Sequence, residues 1–319
     1  MKTNFDFYAK RKLFFGISIA MVVITILCTI FMGVDLDIQY KGGTMVTYSY
    51  TGEINLNDFE NVVADVVDGA VNIQESNDIA TGATNLVVSL ASTDGITADE
   101  QAALTGAVEA AFPGNNIQTE SISNVDATVG HEFFIKSLAA VSFAALAMIL
   151  YIAYSFKRIS GWSAGVIAVI ALVHDCIAAF ATFVILGIDI DANFMAVVLT
   201  IIGYSCNDTM VIYDRIRENR RIYGNKLTVV ELMNKSMNQS LTRAVITSVA
   251  TISSLVVVAV ITVLYNVTSI VSFVFPMVIG LISGTYSSVC LVPALWIMWQ
   301  EHKAKKVQEK VQPQTEEEE

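Results

Sequence analysis

Six long apolar runs dominate the chain: Leu13–Gly33, Ile135–Phe156, Ala164–Leu186, Phe194–Tyr213, Ala244–Leu264 and Val271–Trp299. About 20 predominantly apolar residues are needed for a helix to cross the hydrocarbon of a bilayer. Each run is therefore read as a membrane-spanning helix, the last being over-long and expected to tilt or to run into the interface. The first run follows Lys10, Arg11 and Lys12 as a signal peptide would. It exceeds the length of a signal core and lacks a small-x-small cleavage site, so it reads as an uncleaved anchor.

Between the first and second runs the periodicity changes. Thr44–Tyr50 alternates like a strand, Leu56–Val67 repeats at helical spacing, and Val71–Gln74 and Asn85–Leu90 are again strand-like. Thr97 followed by Glu100 opens a helix expected over Thr97–Phe112, which Pro113-Gly114 stops, and Ile117–Ser123 returns as a strand. Thr with Glu three residues on is a capping box. The order β-α-β-β-α-β is that of the ferredoxin-like split motif. The fold expected is a six-span α-helical membrane bundle carrying a ferredoxin-like α/β domain between helices one and two. Its divisions are 1–12, span one at 13–33, the α/β domain at 34–134, spans two to six at 135–299 and a charged tail at 300–319.

Charge sets the orientation. Loops carrying Lys and Arg stay in the cytoplasm. Lys2, Lys10, Arg11 and Lys12 precede span one, and Lys157 and Arg158 join spans two and three. Arg215, Arg217, Arg220, Arg221, Lys226 and Lys235 lie between spans four and five, and Lys303, Lys305, Lys306 and Lys310 follow span six. From Val34 to Phe134 the sole cation is Lys41. One topology satisfies every connection, with both termini inside and the large loop outside. The composition agrees: 54% of the 319 residues are hydrophobic, only 15% are charged and the net charge is −11, at a mean hydropathy of +0.57. An ordinary soluble domain carries about 25% charge, so a soluble enzyme, a disordered chain and a nucleic-acid binder are all excluded. Cys28, Cys176, Cys206 and Cys290 all fall within spans and read as packing residues rather than redox or metal groups.

The chemistry lies in polar residues within the membrane. An Asp at mid-span costs roughly 2.5–3.5 kcal/mol to insert and marks ion or proton pathways by default. His174 and Asp175 fall in span three, and Asn207 and Asp208 in span four. Asp208 lies 14 residues beyond Phe194, about 21 Å along a helix, in the inner third of the bilayer. Arg243, Thr247, Thr251 and Ser254 recur at helical spacing in span five, as a polar stripe rising from the cytoplasmic side. A protonatable carboxylate switched against Arg243 is one reading. The other is that these groups satisfy one another and fix helix packing. Asp214, Arg215 and Glu218 read as a solvated ion-pair cluster at the cytoplasmic end. Gly280 and Gly284 form a small-x-x-x-small packing pair in span six. Gly42-Gly43 reads as a plain turn or as a hinge joining span one to the external domain. No G-x-x-x-x-G-K-[ST] phosphate loop is present, so an ion gradient is the expected source of any work.

The string from Leu199 to Asn219, LTIIGYSCNDTMVIYDRIREN, resembles the SecF branch of the SecD/SecF family of protein-export membrane proteins. His174-Asp175, Asn238-Gln-Ser-Leu-Thr-Arg243 with Thr247-Ser248, Gly284-Thr-Tyr-Ser-Ser288 and the external Gly42-Gly43 extend the likeness over nearly the whole chain. Two departures, Gln39 before the glycine pair and a missing proline after Gly130, both fall at the external joint.

The resemblance implies a bacterial Sec accessory subunit of the resistance-nodulation-division superfamily, a multi-pass protein of the cytoplasmic membrane. Such a subunit is no enzyme, holds no cofactor, and uses the proton or sodium motive force to promote late export. It implies Asp208 and Arg243 as proton-pathway residues. The implied partners are a SecD chain (separate, given the length here, and forming a heterodimer), the Sec translocon channel with YajC as a further candidate, and preproteins met through the external domain, with no nucleic acid. A proton-coupled small-molecule exporter and a non-transporting scaffold subunit are the competing functions.

Overall fold

The computed structural model describes residues 5–67, 71–77, 84–90, 96–157, 161–224, 226–265 and 268–303. Arg158, the cations after Lys303 and the acidic run Glu316–Glu319 lie outside the described residues.

Chain order gives α1 (Arg11–Met32), a single-turn α2 (Ile38–Lys41), β1 (Gly43–Tyr50), α3 (Leu56–Ala64), β2 (Val71–Asn77), β3 (Thr84–Leu90), α4 (Ala98–Ala111) and β4 (Gln118–Val125). The remaining helices are α5 (Ala127–Ser155), α6 (Gly161–Leu186), α7 (Ala192–Tyr223), α8 (Val229–Leu264) and α9 (Thr268–Tyr286). A π-turn at Ser287–Leu291 links α9 to helical residues 292–303. Among the described residues six helices are long and apolar enough to cross a membrane.

Two of the long helices, α5 and α8, begin well before their apolar runs. α5 starts at Ala127 rather than Ile135 because Asp126 caps it, accepting a hydrogen bond from the Thr128 backbone N–H at 2.7 Å. α7 is capped by Asp191 and runs on to Tyr223. α8 starts at Val229 rather than Ala244, opened by a Thr228–Glu231 capping box. The segment read as a loop between spans four and five is thus almost wholly two helical extensions. Caps define such ends by satisfying backbone N–H groups that the first turn leaves unpaired, and an apolar-run criterion cannot detect them.

Within the bundle α6, α7 and α9 form the centre. Over their apolar stretches 56% of α6 and of α7 is buried, against 0% of α5 and 11% of α1 and α8. Small residues on α6 (Ala164, Ala168, Ala171, Ala178 and Ala179, all buried) let its neighbours approach. Gly280 of α9 meets Ile201 of α7, whose Cδ1 lies 2.2 Å from where a Cβ would stand.

The external unit is a four-stranded antiparallel sheet in the order β2-β3-β1-β4. Val46, Tyr48 and Tyr50 of β1 and Leu86, Val88 and Leu90 of β3 point to one face. Phe59 and Val63 of α3 and Leu104 and Val108 of α4 complete that core. The Thr97 capping box is present. α3 ends at Ala64, and the following turn lets Val66 and Val67 pack back on the core. β2 continues through polar Glu75 to Asn77 because the β3 ladder pairs backbone groups whatever the side chains.

Candidate functional site

Asp175 of α6 is fully buried and held by three helices. Its Oδ2 accepts hydrogen bonds from Ser205 Oγ of α7 and from Ser287 Oγ of the π-turn, both at 2.8 Å. Its Oδ1 accepts from Ser283 Oγ of α9 at 2.9 Å and lies 3.1 Å from His174 Nδ1. A carboxylate offers about four lone-pair sites; the three hydroxyls occupy three of them, and His174 Nδ1 stands beside the fourth. Gly284 makes the enclosure possible, since a Cβ there would stand 3.1 Å from Ser205 Cβ and 3.4 Å from Asp175 Oδ2. The π-turn supplies two consecutive inward hydroxyls. Ser287 serves Asp175, while Ser288 reaches Thr209 Oγ1 at 2.9 Å and donates to the Ser205 carbonyl at 3.2 Å. In a regular helix successive side chains diverge by about 100°, and single π-turns gather at functional sites.

Asp208 of α7 is also buried, at 3% exposure, but its surroundings are sparse. Its Oδ2 accepts from Ser248 Oγ of α8 at 3.2 Å. Tyr204 OH donates to Thr251 Oγ1 at 3.1 Å, a second polar contact between the same two helices. Asn207, Arg243, Thr247 and Ser254 face outward, and Thr251 is half-buried. Thr247, Thr251 and Ser254 donate to carbonyls of their own helix, those of Arg243, Thr247 and Ala250. No ion pair joins Arg243 to Asp208 among the described residues. Most of the stripe read from the sequence therefore lies on the bundle's outer surface, with Thr251 at its inner edge against Tyr204, and the contact to Asp208 is made by Ser248.

At the far end of α7, Arg215 pairs with Glu218 at 2.5 Å, and Asp214 pairs with Arg217 rather than with Arg215. Behind them Asn219, 1% exposed, donates to Ser236 Oγ at 2.8 Å and to Gln239 Oε1 at 2.7 Å. Asn234 and Asn238 hold the N-terminal segment through the backbone of Phe7 and Phe5. In the sequence Asn219, Asn238 and Gln239 figure only within the strings that carry the family resemblance, and Asn234 not at all, because the polar half of α8 reads as a loop. In the sequence Ser283 lies between Gly280 and Gly284, which read as a packing pair, and Ser287 figures only within the string Gly284–Ser288.

The opposite end of α7 meets the external domain. Gly42 (φ +84°) and Gly43 (φ +145°) sit in a close-packed joint. A Cβ on Gly42 would lie 2.5 Å from Ala127 Cα, and one on Gly43 would lie 2.2 Å from the Leu90 carbonyl oxygen. The linker before β1 bonds to the connection between α6 and α7, with Asp37 N–H donating to Ile190 O at 3.1 Å and Ile190 N–H to Asp35 O at 2.8 Å. Tyr40 stacks on Phe133 and donates to the Asp191 carbonyl at 3.1 Å. Asn72 of β2 donates to Asp189 Oδ2 at 2.9 Å. Burial pushes the Asp37, Asp189 and Asp191 carboxyls above the usual carboxylate range, with Lys41 opposing the rise at Asp189.

The arrangement can couple a change at Asp208 to the external domain through one continuous rod. α7 begins at the joint, carries Asp208 in its middle and ends among the Arg–carboxylate pairs.

The family model "Protein export membrane protein SecD/SecF, C-terminal" matches residues 106–302. The protein translocase subunit SecF of Calditerrivibrio nitroreducens is 32% identical over 295 residues, 92% of this chain and 93% of that one. The protein translocase subunit SecDF of Bacillus subtilis is 29% identical over 95% of this chain, which spans 39% of its length. Among solved structures, SecDF of Thermus thermophilus, described as a translocon-associated membrane protein, aligns with a TM-score of 0.77 at 24% identity over 93% of this chain. The chain spans 39% of that protein, and the likeness is one of fold.

Proposed function

The chain belongs to the SecD/SecF family of protein-export membrane proteins, and within that Sec export role we propose that it is an ion-driven subunit working beside a SecD component, with Asp208 as the carboxylate that loads and releases the ion. The reading is carried by one observation. Asp208 is buried in the apolar bundle but bound to a single hydroxyl, so neutralising it costs the fold little and changes how α7 is tied to α8.

The steps follow from the chain's own groups. Ionised Asp208 accepts from Ser248 and sits close to the outward stripe led by Arg243. A proton or sodium ion reaching it removes the charge and loosens the α7–α8 contact. Release restores the charge and the contact. Because α7 is continuous to Asp191, its displacement reaches the bonds from Asn72 to Asp189 and from Tyr40 to the Asp191 carbonyl, and so reaches the external domain. We read that domain as ferredoxin-like and extracytoplasmic. The β-α-β-β-α-β order with β2-β3-β1-β4 pairing supports the first reading, and the distribution of Lys and Arg supports the second, together with a topology that has both termini in the cytoplasm.

The outward Arg243 supports the SecD partnership. Its charge has no ion-pair partner among the described residues of this chain, which leaves it free to pair with another chain, and the Bacillus relative carries a SecD part in the same chain, as its name states. The external domain meets the emerging preprotein, and the Sec translocon channel is a further partner.

The test is release of a labelled preprotein from sealed membrane vesicles, with a proton gradient, with a sodium gradient, and with neither. The expected result is gradient-stimulated release in the native protein and none for Asp208→Asn assembled at native level. Equal stimulation in the variant would make Asp208 structural and overturn the reading.

A further inference from the structure

α5 turns into α6 so tightly that a Cβ on Gly161 would stand 2.3 Å from the Ala153 carbonyl oxygen. Ala153, Gly161 and Ser163 are buried and small, and they floor a groove between α5, α6 and helical residues 292–303. The rim is large and apolar, with Leu150 and Tyr154 on one side, Trp162 at the start of α6, and Met298 and Trp299 opposite. Trp162 is 67% and Trp299 50% exposed. The groove has a volume of about 1290 Å³. Its open end is basic, carrying Lys157, His302 and Lys303.

A second cavity of about 870 Å³ adjoins it, sharing Tyr154 and Lys157, and adds Arg217, Arg220 and Arg221 with Asp214 and Glu218. The two acids are already engaged, by Arg217 and Arg215. Lys157 lies over the Tyr154 ring at 4.3 Å, which holds its ammonium at the rim. Lys157, Arg220, Arg221 and Lys303 form no ion pair among the described residues. In a chain of net charge −11, this is a local excess of cations at one end of an apolar trough.

We propose that this groove is a binding site for an anionic phospholipid, with acyl chains along Leu150, Trp162, Met298 and Trp299 and the phosphate at the Lys157–Lys303 end. An apolar slot accepts acyl chains of any lipid; the cations, which form no ion pair among the described residues, select the headgroup. Tryptophan and tyrosine favour the level where hydrocarbon meets headgroups, and basic pockets between membrane helices bind acidic lipid heads. A second protein helix would match the apolar rim but would leave the cations unused. The inference stands apart from ion coupling, since none of these residues touches Asp208 or its partners.

Two of the chain's three tryptophans are at the groove, and the third, Trp296, is 1% exposed, so intrinsic fluorescence reads occupancy directly. The full chain is reconstituted in phosphatidylcholine vesicles containing a small fraction of brominated phosphatidylglycerol or the same fraction of brominated phosphatidylcholine. The expected result is quenching by brominated phosphatidylglycerol several-fold above its bulk share. The paired variant Lys157→Glu, Lys303→Glu, on exposed side chains that the fold does not need, should weaken the preference by about tenfold. Trp162→Phe with Trp299→Phe should remove the excess signal. Equal quenching by both lipids, or a preference that survives the charge reversal, would overturn the site. So would quenching that disappears when the SecD partner is co-reconstituted, because a protein surface would then cover the groove.

Discussion

Asp175 and Asp208 are both buried carboxylates in the helical bundle, yet one is completed by its own chain and the other is not. Asp175 takes hydroxyls from α7, α9 and the π-turn and lies against His174. Asp208 takes one hydroxyl, on a peripheral helix whose other face turns outward. A saturated cage resists any change of charge, because three donors would lose their acceptor together. A sparsely held acid changes state at small cost. The contrast separates a group that fastens helices from a group that can switch them, although the sequence presents both as intramembrane acids.

The contrast would break first under truncation. Asp175→Ala leaves three buried hydroxyls without their acceptor and should destabilise the chain by about 3–5 kcal/mol, whereas Asp208→Ala should cost about 1–3 kcal/mol. Unfolding of both variants in mixed micelles gives the comparison, and equal losses would erase the distinction.

The acids of the external joint sharpen it from an intermediate position, half-buried and outside the six long apolar helices. Burial raises Asp37, Asp189 and Asp191 above their unfolded values. For a carboxyl shifted upward, the folded state holds its proton more tightly than the unfolded state, so stability is full below the ordinary range of about 4 and falls as pH rises through the raised value. The protection factors of the β2 amides, taken relative to the intrinsic exchange rate at each pH, should therefore rise as the medium is acidified from neutral pH toward that range. Asp189→Asn should flatten part of the response, and protection that falls on mild acidification would contradict the shift.

The smallest effect on stability belongs to the outward stripe. Arg243→Gln should change the unfolding of the isolated chain by less than about 0.5 kcal/mol, as exposed substitutions do, while lowering co-purification with the SecD partner. A large loss in the isolated chain would mean that Arg243 is already paired within it.

Much of this was legible in the sequence. The spans were readable because the bilayer accepts little besides apolar residues, and Asp175 and Asp208 because charge there is conspicuous. The helix ends were not, since Asp126, Asp191 and Thr228 act by capping polar turns that no hydropathy window registers. Spacing placed Arg243, Thr247 and Thr251 on one face correctly, but nothing in the spacing says whether that face looks in or out. Ser248, one position from Thr247, turned out to be the inward one. Nor does any sequence pattern announce the π-turn that puts Ser287 and Ser288 to use at once.

Gly43 pairs with Val125 at the membrane end of β1 and β4, so the external domain hangs from two adjacent strands that enter and leave by one doorway. Mechanical load follows two different paths through such a doorway. A pull on the outer end of the domain tensions both strands alike and asks nothing of the bonds between them. Lateral separation of α1 from α5 would instead peel the ladder one residue pair at a time, as a zipper opens. The contact of Gly42 with Ala127 closes the mouth of that zipper, which makes the domain a strong tether along the membrane normal and a weak one across it.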